Sequence, residues 1–366
     1  WDCVLITEEC AEQPFQTDIC TAYQMPTYNH ILRDKLCWGK DKALYLFAKQ
    51  KVDVSSFDII FCSSYYYFPL YAAHLLAKEF NIPLAIDLRD IAEQWGDTPY
   101  FTRQITPFHK LNYWIGKLYE RRQLYMRNRI LQTANIVTSI SPWHQQLLAH
   151  YNQNTHLIYN GYDADIFVPQ NTISKYFYIT YLGKLYSTQL RDPRLLFEAL
   201  KQLIAAHQID ASVIRVLFHT DSKGIKEIQE LGEQYKLTEL LDINGYIPRQ
   251  EILPIMHKSS ILLVLTTKST SNGTHGIMGT KFFENIGVEK PILCVRSDEE
   301  CLADAIHKTN AGLAATNVEE VKRFILDKYH EWQQNGYTHQ EVINKEQFTR
   351  QHEAQQFEKL FLQCIQ

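Results

Sequence analysis

The sequence predicts an α/β protein of two doubly wound domains, each a parallel sheet with helices packed on its faces. Three observations predict it. Short β-branched or aromatic runs alternate along the chain with longer stretches of helical period, the pattern of strands joined by crossover helices. A chain of 366 residues is too long for one small core and, at about 150 residues per domain, fits two. Between the two alternating series lies Asn160-Gly161-Tyr162-Asp163-Ala164-Asp165-Ile166-Phe167-Val168-Pro169, whose turn formers and closing proline mark a crossing between domains.

The elements follow in order. Trp1 to Thr7 reads as a strand with nothing before it. A doubly wound domain opens with a strand and a turn that reaches its ligand, which points to an opening unit missing from this sequence. Strands are expected at Phe57 to Cys62, Pro83 to Leu88, Asn135 to Ile140 and His156 to Tyr159, with helices near 67–80, 107–133 and 142–151. In the second half, strands fit 176–182, 212–218, 240–243, 260–265 and 291–296, and helices fit 193–207, 223–236, 249–258, 280–288 and 317–333. The end, 345–366, reads as one amphipathic helix with Phe348, Phe357, Leu360, Phe361 and Ile365 available for docking. The first domain is accordingly drawn over 1–165, completed by the helix 345–366, and the second over 166–344.

Composition excludes several classes. Hydrophobic residues make up 45% and charged residues 21%, an ordinary globular balance rather than that of a disordered chain. Lys+Arg 37 against Asp+Glu 41 gives a net charge of -4, so no overall positive field exists to bind nucleic acid. The eight cysteines include no CxxC pair and no zinc spacing, and read as reduced thiols, mostly core. No apolar run approaches the ~20 residues of a bilayer span, and the acidic start is unlike a signal peptide. The protein is expected in the cytoplasm.

In open parallel sheets, ligands lie beyond the carboxyl ends of the strands, so the residues just after each strand are the candidates. Foremost is the segment from Lys268 to Lys281, containing Gly273, Gly276, Ile277, Met278, Gly279 and Thr280, between the strand ending at Leu265 and the helix near Thr280. Its glycines let the backbone approach a ligand, and amides at a helix N-terminus suit a phosphate; the alternative is a flexible surface loop. Lys281 follows Thr280 rather than a glycine, so this is no P-loop, and no GxGxxG follows an early strand. Glu284, three residues after Lys281, is either its solvated ion-pair partner or a carboxylate accepting two ribose hydroxyls. Gly183, Lys184 and Arg191 follow the first strand of the second domain and could neutralise a diphosphate, with plain surface cations as the alternative. The turn Asn244-Gly245-Tyr246-Ile247-Pro248 could border a base. Asp87-Leu88-Arg89-Asp90 ends a first-domain strand, where Arg89 and Asp90 either meet substrate or form a structural network.

These places in this order resemble glycosyltransferase family 4, retaining enzymes of the GT-B fold. The matching strings are DLRD at 87–90, TANIVTSIS at 133–141, NGYD at 160–163, YLGKLY at 181–186, NGYIPRQEI at 244–252 and GTKFFENIGVEKPIL at 279–293. The resemblance implies two facing Rossmann-like domains, the second binding a nucleotide-sugar, and a final helix returning to the first. It implies Lys184 and Arg191 at the diphosphate, Gly279 and Thr280 beside it, and Glu284 on the ribose. Gly183, Tyr246, Ile247, Gly276, Ile277, Met278 and Lys281 complete the donor side, and Arg89 and Asp90 stand on the acceptor side. The sequence departs from the family where many relatives carry Glu-x7-Glu: eight residues before Glu284 stands Gly276. Arg191 also comes later after Gly-Lys-Leu than the usual basic residue.

The expected activity is transfer of a sugar from a nucleotide diphosphate to an acceptor hydroxyl with retention, in polysaccharide or glycoconjugate synthesis. Lys184, Arg191 and Glu284 are the catalytic candidates, and the acceptor is a saccharide, free or lipid-linked. A nucleotide-sugar 2-epimerase and a non-catalytic nucleotide-sugar binder are the alternatives. No cofactor and no metal are expected: Asp163-Ala164-Asp165 sits in the crossing, where Asp favours turns, and the fourteen histidines show no HxH or HxxxH pair. Residues 101–130 hold Arg103, Lys110, Lys117, Arg121, Arg122, Arg127 and Arg129 against the single acid Glu120, interleaved with aromatics. They form either a helix with a basic solvated face or a peripheral contact with anionic lipid, which would put the protein on the inner membrane face.

Overall fold

The structure is a computed structural model that describes residues 1–9, 18–30, 34, 37–96 and 109–365, apart from the side chains of Tyr65, His109 and Lys110. Its chain divides into two compact units, Trp1–Ile158 with Gln356–Gln366, and Tyr159–Gln355.

The first unit contains a four-stranded parallel sheet in the order β3-β4-β5-β6, formed by Ile60–Tyr65 (β3), Leu84–Asp90 (β4), Ile136–Ser139 (β5) and Thr155–Leu157 (β6). The four expected strands are present, with ends shifted by one to three residues. A separate parallel pair, Val4–Glu8 (β1) with Thr21–Met25 (β2), lies beside them in sequence; the sequence pattern gave β1 but not β2. Helices α1 (Gly39–Lys51), α2 (Leu70–Phe80), α3 (His109–Leu131) and α4 (Pro142–Leu148) belong to this unit, α1 being unforeseen. The alternation of β4 places Leu84, Ile86 and Leu88 against Leu70, Leu131 and Leu148 on one face of the sheet. Ala85 faces the other way, where Ile136 and Ile158 meet Phe357, Leu360 and Phe361. The last three come from the C-terminal helix, Arg350–Ile365, which therefore returns to the first unit as expected. That helix begins later than 345: Lys345–Phe348 is one 3-10 turn, and Thr349 is extended at φ -86, ψ 149. Thr349 Oγ1 then accepts from His352 N at 3.2 Å, capping the new helix.

The second unit is a six-stranded parallel sheet in the order β12-β11-β10-β7-β8-β9. Its strands are Phe177–Leu182 (β7), Ile214–His219 (β8), Leu241–Asn244 (β9), Ile261–Leu265 (β10), Ile292–Val295 (β11) and Gly312–Ala315 (β12). The chain starts in the middle at β7, runs outward through β8 and β9, then returns to pair β10 with β7 and runs outward again. This doubly wound order has its switch point between β7 and β10, the place where such sheets bind ligands. Helices α5 (Arg194–Ala205), α6 (Ser222–Tyr235), α7 (Arg249–Lys258), α8 (Thr280–Gly287), α9 (Cys301–Lys308) and α10 (Val318–Asn335) cross over the sheet, and α11 is the C-terminal helix. One face buries Phe177, Ile179, Phe197, Leu200, Phe218 and Ile325; the other buries Phe282, Phe283, Ile286, Cys294, Ile306 and Phe348.

Tyr162 packs in this second core, and its backbone brackets the chain ahead of α11: Tyr162 N donates to Phe348 O and Arg350 N donates to Tyr162 O, each at 2.9 Å. A Cβ on Gly161 would come within 2.6 Å of Arg350 N, so only glycine admits this approach. Asp163 Oδ1 accepts from Asp165 N at 3.1 Å, the turn role expected of this Asp-x-Asp.

The cysteines correct one expectation. Among the described residues only Cys62 and Cys294 are buried, while Cys3 and Cys37 are exposed. β12 and α9 were missed because Gly-Leu-Ala-Ala and a helix of eight residues carry weak local signals, and the 13-residue α1 was missed as well. No described helix is long and apolar enough to cross a membrane.

Candidate functional site

The switch point of the second sheet gathers most of the residues that the sequence assigns to a nucleotide-sugar donor. β7 ends at Leu182, and Gly183 follows with its N–H donating to His219 O at 3.0 Å. Lys184 and Leu185 turn away, and Leu185 N donates to Thr220 Oγ1 and Asp221 Oδ1, both at 3.0 Å. Tyr186 takes a left-handed conformation at φ 62 and leaves its ring half exposed. Lys184 Nζ lies 4.8 Å and Arg191 Cζ 5.2 Å from the centre of that ring. The later position of Arg191 in the sequence is thus absorbed by the turn, which brings both cations to one aromatic ring. Arg191 Nη1 also donates to Tyr181 Oη at 3.2 Å, and that hydroxyl donates to Lys184 O at 3.0 Å. Tyr181 is buried, and burial raises its phenol's pKa.

The second strand of the switch point, β10, ends at Leu265 and leads through 266–279 into α8. Gly279 is the N-cap residue, at φ -65 and ψ 138 and with no side-chain cap bond. A Cβ built on it would meet nothing within 4 Å, whereas one on Gly183 would stand 4.0 Å from Lys281 Cε. Lys281 therefore reaches across from α8 over the turn that follows β7, and the two glycine-bearing segments adjoin. Thr280 is exposed, Ile277 half-buried, and Met278 anchors the loop at 3% exposure in the core. Lys281 Nζ donates to Glu284 Oε2 at 2.7 Å, both side chains being partly exposed. The ion pair foreseen at this spacing is formed, and it joins the two residues that the sequence assigns to phosphate and ribose.

Tyr246 stands exposed and Ile247 half-buried after β9, where Gly245 O lies 3.3 Å from His219 Nδ1. In the first unit, Arg89 Nε donates to Asp87 Oδ2 at 2.6 Å, and Thr138 Oγ1 donates to Asp87 Oδ1 at 2.7 Å. The ion pair of Arg89 thus runs to Asp87 and not to Asp90 as its sequence neighbour suggested, because residues two apart on a strand share a face. Asp90 accepts from Gln94 Nε2 at 2.8 Å, while burial raises its pKa.

Three charged groups beside these segments were missed: Asp192, Arg296 and Glu300. Asp192 is fully buried and binds Arg194 through paired bonds of 2.6 and 2.9 Å and Arg296 through a further short contact. Burial opposes its charge, but these donors outweigh it and hold the carboxyl below its ordinary range. A hollow of about 420 Å³ lined by Arg194, Lys268, Arg296 and Thr316 opens beside this fork and shares no residue with Gly183, Lys184 or 276–284. The third group is Glu300, which accepts from His275 Nδ1 at 2.8 Å and from Gly276 N at 3.4 Å. Gly276 is left-handed at φ 64, so the carboxylate fixes a backbone that only glycine adopts readily. The rule that singled out the other strand ends applies equally after β11 and would have flagged 296–300. Among the described residues no three His, Cys, Asp or Glu side chains come together to hold a metal.

The sequence matches no protein-family model and no curated protein. The structure, in contrast, superposes on solved glycosyltransferases over almost its whole length. Sucrose-phosphate synthase from Thermosynechococcus elongatus aligns over 98% of this chain and 88% of its own at a TM-score of 0.64, with 14% identity. Anabaena HepE, in complex with UDP, aligns over 97% and 98% at 0.62, with 13% identity. The lipopolysaccharide outer core galactosyltransferase WaaB aligns over 98% and 99% at 0.57, with 12% identity. The fold is GT-B. Within the GT-B fold the switch point of the second Rossmann-like unit holds Gly183, Lys184, Arg191, Lys281 and Glu284 in one neighbourhood, assembled from segments up to a hundred residues apart.

Proposed function

We propose that this GT-B protein is a retaining glycosyltransferase of the family 4 type. It moves a sugar from a nucleotide diphosphate to an acceptor hydroxyl in polysaccharide or glycoconjugate synthesis. The observation that carries the reading is the meeting of the Gly183 turn with the Lys281 end of α8. Two cations from one segment, a third from the other and an uncapped helix N-terminus converge where a doubly wound sheet takes its ligand.

The chemistry follows from those charges. The bond from the anomeric carbon to the diphosphate oxygen breaks as the bond to the acceptor oxygen forms on the same face, and the acceptor proton passes to the departing phosphate oxygen. Negative charge grows on the diphosphate, where Lys184, Arg191, Lys281 and the amides of 279–281 stabilise it. No side-chain nucleophile and no metal is required. Glu284 takes the ribose hydroxyls, Tyr246 and Ile247 border the base, Gly276, Ile277 and Met278 shape the donor pocket, and Arg89 and Asp90 of the first unit serve the acceptor.

HepE has also been solved with UDP-glucose, which makes uridine donors the first to try. A thermal-shift screen of UDP-, GDP-, ADP- and TDP-sugars, followed by nucleotide release in the presence of saccharide acceptors, tests the reading. A rise in melting temperature with one donor class and acceptor-dependent release are expected. Melting unchanged by every nucleotide-sugar overturns it.

A further inference from the structure

Among the described residues, helix α3 is packed on one side and exposed on the other. Its inner side buries Glu120, Gln123, Ile130 and Leu131, and Arg127 is only 1% exposed, its guanidinium gripping Glu93 at 2.6 and 2.7 Å. Arg127 is therefore a structural cation, not one of a basic surface as its composition window suggested. On the outer side Leu111, Trp114, Leu118 and Tyr125 are 47%, 68%, 71% and 61% exposed. Spacings of three and four put them in one line with exposed Arg121 and Arg129, about 27 Å long at the helical rise of 1.5 Å per residue. Residues 101–108 and the side chain of Lys110, part of the same basic stretch, lie outside the described residues.

We propose that this line is the surface by which the protein rests on an anionic lipid bilayer. A tryptophan and two leucines on one stripe, with arginines following on the same stripe, match a helix lying in the plane of the headgroups. The apolar side chains enter the acyl boundary and the guanidiniums take lipid phosphates. The charges favour lipid over a second copy of the chain. Glu120 is the only acid in His109–Leu131 and it is buried, so a two-fold pairing of this face sets arginine lines together with no carboxylate from the helix between them. Lys117 is tied to Glu120 at 3.6 Å and Arg122 stacks on Trp38 at 4.0 Å, so the exposed cations of the line are Arg121 and Arg129, the latter also donating from Nη1 to Tyr125 Oη at 3.2 Å within the line. The proposal stands independently of the donor assignment.

Flotation of the full chain with phosphatidylglycerol/phosphatidylcholine vesicles and with phosphatidylcholine alone, at low and high salt, tests it, with sedimentation velocity for oligomeric state. The wild type should float with the anionic vesicles and be released by salt. The pairs Trp114→Ser with Leu118→Ser, and Arg121→Glu with Arg129→Glu, should each weaken vesicle binding at least tenfold while melting as the wild type does. No flotation with anionic vesicles overturns the proposal, as does flotation that both pairs leave intact. A dimer that Leu118→Arg dissociates also overturns it, by giving the face to a second copy.

Discussion

One carboxylate, that of Glu300, holds both the ring of His275 and the backbone of Gly276, at 2.8 and 3.4 Å. It is available to do so because another residue caps α9: Asp298 accepts from Leu302 N and Ala303 N at 3.0 Å each. Glu300 can therefore reach across to the segment before α8 without leaving the helix uncapped.

The first prediction follows from that division of labour. Glu300→Ala should free the 276–279 backbone and raise the donor KM about tenfold with kcat little changed, since a loosened segment weakens binding before it touches the chemistry. Stability should fall by less than about 1 kcal/mol, as for other partly exposed ion pairs. Steady-state kinetics beside melting curves measure both, and an unchanged KM rules out a positioning role.

The second concerns charge neutralisation, which is assigned to Lys184, Arg191, Lys281 and backbone amides. Transfer activity should then survive EDTA. Loss of activity in EDTA, restored by Mg²⁺ or Mn²⁺, would transfer that role to a metal.

The third is a pH dependence of stability. Lys290 is 1% exposed, its Nζ donating to Thr338 O at 3.0 Å, and burial pushes its ammonium down to about 8 against the pull of Glu331. An unfolded lysine binds its proton up to a pKa of about 10.4, so between pH 8 and that value the unfolded state carries more protons. Stability from this group thus rises with pH across the window and is level below it. Buried Cys62 and Cys294, raised by burial, act oppositely above pH 9, so the comparison is with Lys290→Met. Relative to wild type, the variant should lose on the order of 3 kcal/mol between pH 7.5 and 10.5 in urea unfolding. A pH-independent difference refutes it.

How much of this was legible follows from the residues themselves. Strands β7, β8, β10 and β11 announce themselves because Phe-Tyr-Ile-Thr-Tyr-Leu and Ile-Leu-Leu-Val-Leu leave no competing element. β12 did not, because Gly312 and two alanines carry no β signal and only pairing with β11 makes them a strand. The strand-end rule located Gly183, Lys184 and 276–281, but their adjacency depends on the β7–β10 pairing, which no local pattern encodes. Arg127 illustrates the limit in reverse: its partner Glu93 is 34 residues away, so burial could not be read from a window of basic residues.

The last prediction is that Glu284→Ala abolishes donor binding and leaves the fold intact. Glu284 lies in the second turn of α8, whose start adjoins the Gly183 turn through Lys281, and its Oε2 already accepts from Lys281 Nζ at 2.7 Å. That pair has two opposite meanings. As a surface ion pair it contributes under ~1 kcal/mol, and its loss leaves binding untouched. As part of the donor site it orients a carboxylate so that two ribose hydroxyls donate to it at once. Each such bond to a charged group is worth about 1.5–3 kcal/mol, so affinity should fall between about 10²- and 10⁴-fold. Glu284→Gln separates charge from shape: it keeps one acceptor oxygen and should fall between wild type and alanine. Calorimetric titration with the best donor nucleotide, run beside melting curves, distinguishes the two meanings. Wild-type affinity in a folded Glu284→Ala protein would reduce the pair to surface electrostatics and leave the ribose without its assigned partner.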